Sequence, residues 1–349
     1  MSIFPVFDSI LLPLAPTIAG AIADYWQLMA QVASGHLSQN CDDVDAQLSP
    51  DAIDRWQLGK SLKLDPTSQY QYVSPIAHRL AAKSSLTPLK ICQKLQSPTL
   101  SPKIDVNSRL ELSCWYNDAG YIYFQIAPRS IALWLEYLQN LPLTVELVGE
   151  RCSTSDAVPP RLAIAIYAHA RCCSVLTLAA TEQIIQVAAN WQTIPLQRSS
   201  DSERGIYQVN SGIAEWTSIF DHPAEQRSIH ALMAVLDALS SHHLPLVDPC
   251  GLSKIGISIR WRDAEGKAPP MRSVSNRRLS STESPNWQKL TIELAQSWLE
   301  FYRYCRIFGD VHSHNPHLAI ARCGLTAIVR RYLQVLLEHH LGVSAAIEL

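Results

Sequence analysis

Arg161-Leu-Ala-Ile-Ala-Ile-Tyr167-Ala-His169-Ala-Arg171-Cys-Cys-Ser174-Val-Leu176 decides the fold reading. Leu162, Ile166, His169, Cys173 and Leu176 recur at spacings of 4, 3, 4 and 3, an apolar stripe at the helical period. Tyr167, Arg171 and Ser174 recur at 4 and 3 on a neighbouring face. Histidine on the apolar stripe reads as a buried, hydrogen-bonded residue, and the Tyr–Arg face reads as exposed. Tyr and Arg stack on unpaired bases, and Arg clamps phosphates, but a plain surface Tyr–Arg pair fits the same spacing.

Working outward, a longer stripe follows at Trp287, Leu290, Leu294, Trp298, Phe301, Cys305 and Phe308, and another at Leu318, Ala321, Leu325, Ile328, Tyr332 and Leu336. Residues 158–349 therefore read as an all-α bundle, interrupted at about 244–285 by an irregular insertion with a strand-like Ile255, Ile257, Ile259, Trp261 alternation. Upstream, the period drops to two. Leu110, Leu112 and Cys114 alternate with Glu111, Ser113 and Trp115; beyond the turn Asn117-Asp-Ala-Gly120, Ile122, Phe124 and Ile126 alternate with Tyr121, Tyr123 and Gln125. This predicts a hairpin with one apolar and one aromatic-polar face. Helical patterns flank it at 76–80, at 89–95 behind a Thr87-Pro88 cap, and at 128–140. Residues 1–150 read as an α+β module, residues 1–60 being helices joined by a soft loop.

Composition narrows the function. The chain has 349 residues, a net charge of −2, and 17% charged residues, so bulk charge gives no argument for nucleic acid. Only a local patch does: residues 254–278 hold seven bases against two acids, and Arg272, Arg277 and Arg278 there resemble a mobile basic arm. Such an arm grips phosphates by counterion release, or is a solvated loop. The nine cysteines form no CxxC pair, which fits reduced thiols in a cytoplasmic protein. The apolar stretch 1–26 contains prolines and Asp8 and has no basic leader, so neither a signal peptide nor a membrane anchor is expected. Glycine, at 13 residues, has about half its usual share. No P-loop, GxGxxG, GxSxG or HExxH occurs. His312-Ser-His314-Asn-Pro-His317 has metal-like spacing but reads as a solvated loop between helices. The expectation is no catalytic residue, no metal and no cofactor.

Four segments in order resemble the DALR anticodon-binding domain of arginyl-tRNA synthetases. Tyr167-Ala-His-Ala-Arg171-Cys-Cys-Ser-Val-Leu176 is similar to its YAHARICSIL signature, and His222-Pro-Ala-Glu225 to its HPxE segment. Phe301-Tyr-Arg-Tyr-Cys-Arg306-Ile resembles its FYxxCxV helix, and His317-Leu-Ala-Ile320 with Leu341-Gly-Val-Ser344 its closing run. Tyr72 to Lys83 and Ala119 to Phe124 resemble the N-terminal additional domain of the same enzymes. Departures exist: the chain ends Ala346-Ile-Glu-Leu349 in place of Pro-x-x-Met, and Tyr123 replaces a hairpin Asn.

In that family a nucleotide-binding catalytic domain lies between the two modules. Here residues 141–160 are the whole interval, whereas one βαβ unit takes about 30 residues. The resemblance therefore implies a synthetase-like pseudoenzyme that binds tRNA, arginine tRNA among the candidates, or a tRNA-like RNA. Tyr121, Tyr123 and Gln125 would touch the elbow. Tyr167, Arg171, Arg322, Arg330 and Arg331 would hold the anticodon arm, with Arg272, Arg277 and Arg278 on the backbone. Animal DALR-domain adaptors, which present tRNA to a modifying enzyme, have a similar architecture. The alternatives are a protein–protein adaptor on a repurposed RNA surface and the tRNA-binding part of a split synthetase.

Overall fold

A computed structural model of the chain describes residues 62–65, 68–82, 86–96, 110–140, 159–187, 193–195, 220–243, 257–261 and 285–348. The expectations for residues 1–60 and for Arg272, Arg277 and Arg278 lie outside these residues. The described chain combines a small, mostly antiparallel sheet with a set of longer helices, divided between two compact units.

In the sheet unit the elements are β1 (Lys63–Leu64), β2 (Gln71–Ser74), α1 (Ile76–Ala81), α2 (Pro88–Gln96), β3 (Leu110–Tyr116) and β4 (Ile122–Ile126). The strand order is β1-β2-β4-β3, each pair antiparallel, with Cys114 opposite Phe124 and Trp115 opposite Tyr123. Alternation puts Leu112, Cys114, Ile122, Phe124 and Ile126 in the core, as the period of two predicts. Thr87 accepts from the Lys90 amide at 3.4 Å at the head of α2. The hairpin turn is closed by Gly120 N–H to Asn117 C=O at 2.9 Å and by Tyr121 N–H to Asn117 Oδ1 at 2.9 Å. Gly120 has φ +80°, and a Cβ there would stand 2.5 Å from Pro88 Cβ.

In the helical unit, α3 (Pro128–Asn140) is followed by a 3-10 turn (Pro160–Leu162), α4 (Ala163–Thr181), the strands β5 (Ile185–Val187) and β6 (Thr193–Pro195), and α5 (Pro223–His243). Then come α6 (Trp287–Tyr304), α7 (Asp310–His314) and α8 (Pro316–Val335), which runs into a π-helical turn (Leu336–His340). Asn286 and Asn315 cap α6 and α8 by accepting from amides three residues on, at 2.9 and 3.1 Å. Every residue from Ala321 to Leu333 is buried, so α8 is the axis against which α3, α4 and α6 pack. The stretch Pro160–Thr181 is long and apolar enough to cross a membrane by length and composition, but 56% of it is buried against neighbours.

Several expectations change. The boundary expected near 150 falls at 127/128, because α3 packs on α8 and Leu138 C=O accepts from Arg331 Nη1 at 2.8 Å. The insertion strand, β7 (Ile257–Trp261), lies parallel to β3 with Leu112 opposite Ile259, so it belongs to the sheet unit. The bundle is not purely helical, since β5 and β6 form a short antiparallel ladder within it. Helix α6 stops at Tyr304, where Cys305 turns extended at φ −108°, although Cys305 and Ile307 remain buried. His312 and His314 stand on α7 rather than in a loop.

Gly120→Ala is expected to destabilise the sheet unit by about 1–3 kcal/mol, from positive-φ strain and the Pro88 clash together. Urea denaturation followed by tryptophan fluorescence measures it, and an unchanged midpoint contradicts the account.

Candidate functional site

The first constellation sits at the head of α5, where His222-Pro-Ala-Glu225 forms a cap. The His222 amide donates to Glu225 Oε2 at 3.0 Å, and His222 Nδ1 accepts from the Ala224 amide at 3.1 Å. The carboxylate of Glu225 is fully buried and accepts from Arg322 Nε at 2.7 Å; Arg322 Nη1 donates to Arg306 C=O at 2.5 Å. The expectation that Arg322 faces an RNA is corrected: its guanidinium is 10% exposed and ties α8 to α5 and to the turn after α6. A thiol–imidazole contact, Cys305 Sγ to His222 Nδ1 at 3.4 Å, lies beside the pair. Burial and the neighbouring Glu225 push the Cys305 thiol up to about 11, so it is not an activated nucleophile.

Arg330 and Arg331 are corrected in the same way, being 4% and 7% exposed. Arg330 Nη2 donates to Gln334 Oε1 at 2.9 Å, and Gln334 Nε2 donates on to both Glu338 oxygens at 3.2 and 3.3 Å. Burial raises the Cys173 thiol's pKa, and the nearby Arg330 lowers it in part. Arg331 holds the Leu138 carbonyl, and burial draws its pKa down. A helix buried on every side requires internal partners for its charges, and all three arginines have them.

The open stripe of α4 is where cation and aromatic meet solvent. Tyr167 is 48% exposed, Arg171 and Ser174 follow on the same stripe, and Leu178 ends it at 45%. Arg171 Nη2 donates to Tyr302 Oη at 2.7 Å, and its guanidinium carbon lies 5.1 Å from the centre of the Tyr302 ring. Tyr302 in turn stacks on the fully buried Trp298, with centroids 5.5 Å apart and planes at 13°. A buried indole thus orients the phenol, and the phenol orients the cation. Ser174 spends its hydroxyl on the Ala170 carbonyl at 3.1 Å. The 4-3 spacing finds Tyr167 and Arg171; Tyr302 follows Phe301 of the core stripe, and no sequence signal joins it to Arg171. Tyr304, 53% exposed, carries the Arg303 guanidinium at 5.4 Å and stacks beside His222 at 6.1 Å.

Within the sheet unit, Tyr121, Tyr123 and Gln125 do not form one open face. Tyr123 is buried, stacked on Trp115 at 5.6 Å and 8°, with its hydroxyl accepting from Asn117 Nδ2 at 3.2 Å. Gln125 Nε2 donates to the Gln69 carbonyl and to the Tyr70 carbonyl, the latter at 3.4 Å. Tyr121 is half-buried against the His78 ring at 4.8 Å. The role expected for Tyr123 and Gln125 is therefore corrected: Tyr123 packs on the neighbouring strand and the hairpin turn, and Gln125 ties β4 to the turn before β2. Among the described residues no group of three or more His, Cys, Asp or Glu is placed to hold a metal ion.

Comparison of the chain with family models, with curated proteins and with solved structures finds no match in any of the three.

Replacing Arg322 with Met strands the Glu225 carboxylate in the core and is expected to cost about 3–5 kcal/mol. The double variant Glu225→Gln/Arg322→Met is expected to lose markedly less than the two single losses combined. A double-mutant cycle in urea reads the difference, and strict additivity contradicts the coupling.

Proposed function

We propose that this chain is a non-catalytic, arginyl-tRNA-synthetase-like protein that binds tRNA or a tRNA-like RNA, its helical unit being of the DALR anticodon-binding type. The observation that carries the reading is the α4 stripe, where Arg171 is held over Tyr302 beside the exposed Tyr167. A guanidinium already oriented by a hydrogen bond and a ring loses little further freedom on meeting a phosphate or an unpaired base. Exposed tyrosine supplies a stacking plane that every base accepts. The resemblance adds to this: its signature segment is one helix with Tyr167 and Arg171 outward and His169 inward, and its HPxE segment caps α5.

One observation favours a protein–protein adaptor instead. Arg322, Arg330 and Arg331 are used up inside the helical unit, which lowers the number of cations the described surface offers to phosphates. RNA binding is the reading adopted because the remaining Arg–Tyr–Trp stack faces solvent, where an internal structural role would not need its outer end.

Filter binding of the full chain to total tRNA tests it. Affinity is expected to fall steeply between roughly 50 and 200 mM salt, as counterion release requires. Arg171→Ala is expected to weaken binding about tenfold, equivalent to about 1.4 kcal/mol, with the melting temperature little changed. Tyr302→Phe, which keeps the ring but removes the hydroxyl, is expected to weaken it less. Absent or salt-insensitive binding overturns the reading in favour of the adaptor.

A further inference from the structure

The segment after the π-helical turn returns to α4, and a histidine holds it there. Gly342, at φ +64°, turns the chain away from the helix. The Leu341 and Val343 amides close on the Leu336 and Leu337 carbonyls at 3.1 and 2.8 Å, and Val343 and Ala345 bury their side chains. The Ala346 carbonyl then meets His169 Nδ1 at 2.7 Å, joining positions 177 residues apart. His169 has no exposed surface. A carbonyl only accepts, so Nδ1 carries the proton and Nε2 is the bare nitrogen. That Nε2 is buried and has no hydrogen-bond partner among the described residues.

We propose that the segment Gly342–Ala346 is an acid-released latch: a second proton on His169, at Nε2, finds no acceptor among the described residues around it, and undocking the segment lets the ring reach water. The proposal is independent of the RNA reading. The groups around the ring agree with it. Burial is the largest influence and lowers the His169 pKa from its ordinary 6.5; the Ala346 bond raises it, Arg330 on α8 lowers it, and Glu338 on the π-helical turn raises it, the net shift being downward. Glu338, linked to Arg330 through Gln334, favours an imidazolium at His169, but burial outweighs it. Cys172 and Cys173, on α4 itself, are held as thiols because burial raises both. On α6, Tyr302 answers Arg171 rather than His169.

The direction follows from linkage. A base whose docked pKa lies below its undocked value takes up protons on release, so docking is complete above about pH 6.5 and weakens as pH falls through the docked value. Release takes up one proton, so the undocking equilibrium rises by about tenfold per pH unit between the undocked and the docked values and levels off below the docked one.

Hydrogen exchange of the full chain, read by mass spectrometry between about pH 8 and pH 5 and corrected for intrinsic exchange, tests this. Protection of the peptide spanning 342–346 is expected to fall on the acid side by about tenfold per unit, while α6 peptides stay protected. A constant protection, or a loss in step with α6, overturns the latch. His169→Gln keeps a donor for the Ala346 carbonyl but does not titrate, and is expected to abolish the acid-dependent loss; loss persisting in that variant also overturns it. Should the variant fail to fold, the pH series on the unaltered chain decides alone.

Discussion

The buried ion pair between Glu225 and Arg322 is the constraint from which the helical unit takes its shape. Two opposite charges removed from water are favourable only where geometry is good and the remaining hydrogen-bonding capacity is filled. Here both conditions hold. One carboxylate oxygen takes the guanidinium, the other takes the His222 amide that would otherwise be an orphan of the helix start, and a second arginine nitrogen takes the Arg306 carbonyl. Each bond lands on a different element, so the head of α5, the turn beyond α6 and the body of α8 are positioned by one set of polar contacts. Apolar burial alone tolerates sliding of one helix past another; a paired charge in the core does not.

That arrangement removes Arg322, Arg330 and Arg331 from the cations that the described residues offer to a ligand. An axial helix surrounded by others has no outward face, and its arginines bind a carboxylate, a backbone carbonyl and a glutamine. Among the described residues at solvent, Arg171 is held by a hydrogen bond and a ring together. Its position depends on a chain of contacts reaching inward: guanidinium to phenol, phenol to indole, indole into the core beside Thr326 at 3.5 Å. The candidate surface is therefore an outgrowth of core packing, and its orientation is inherited from the interior. The histidine that meets Ala346 lies on the buried side of the same helix, two positions from each of Tyr167 and Arg171, so one helix carries a solvent-facing cation and an inward-facing hydrogen bond at once.

By itself the sequence determined the local elements, because each is dictated by contacts within a few residues. Period-two alternation around Asn117-Asp-Ala-Gly120 specified a hairpin with its core face, and Thr87-Pro88 specified a helix start by its capping chemistry. The 4-3 spacing separated the inward His169 from the outward Tyr167 and Arg171. Tertiary structure alone decided what those elements meet. Leu110–Tyr116 and Ile257–Trp261 are about 150 residues apart, and their parallel pairing leaves no trace in the alternation of either strand. Whether Pro128–Asn140 serves the sheet or the helices depends on which apolar face it finds first, a choice its own stripe does not encode. Likewise an arginine on a helix has the same period whether water or a glutamate awaits it. Arg322, Arg330 and Arg331 were legible as charges but not as buried ones, because burial belongs to the partner surface rather than to the residue.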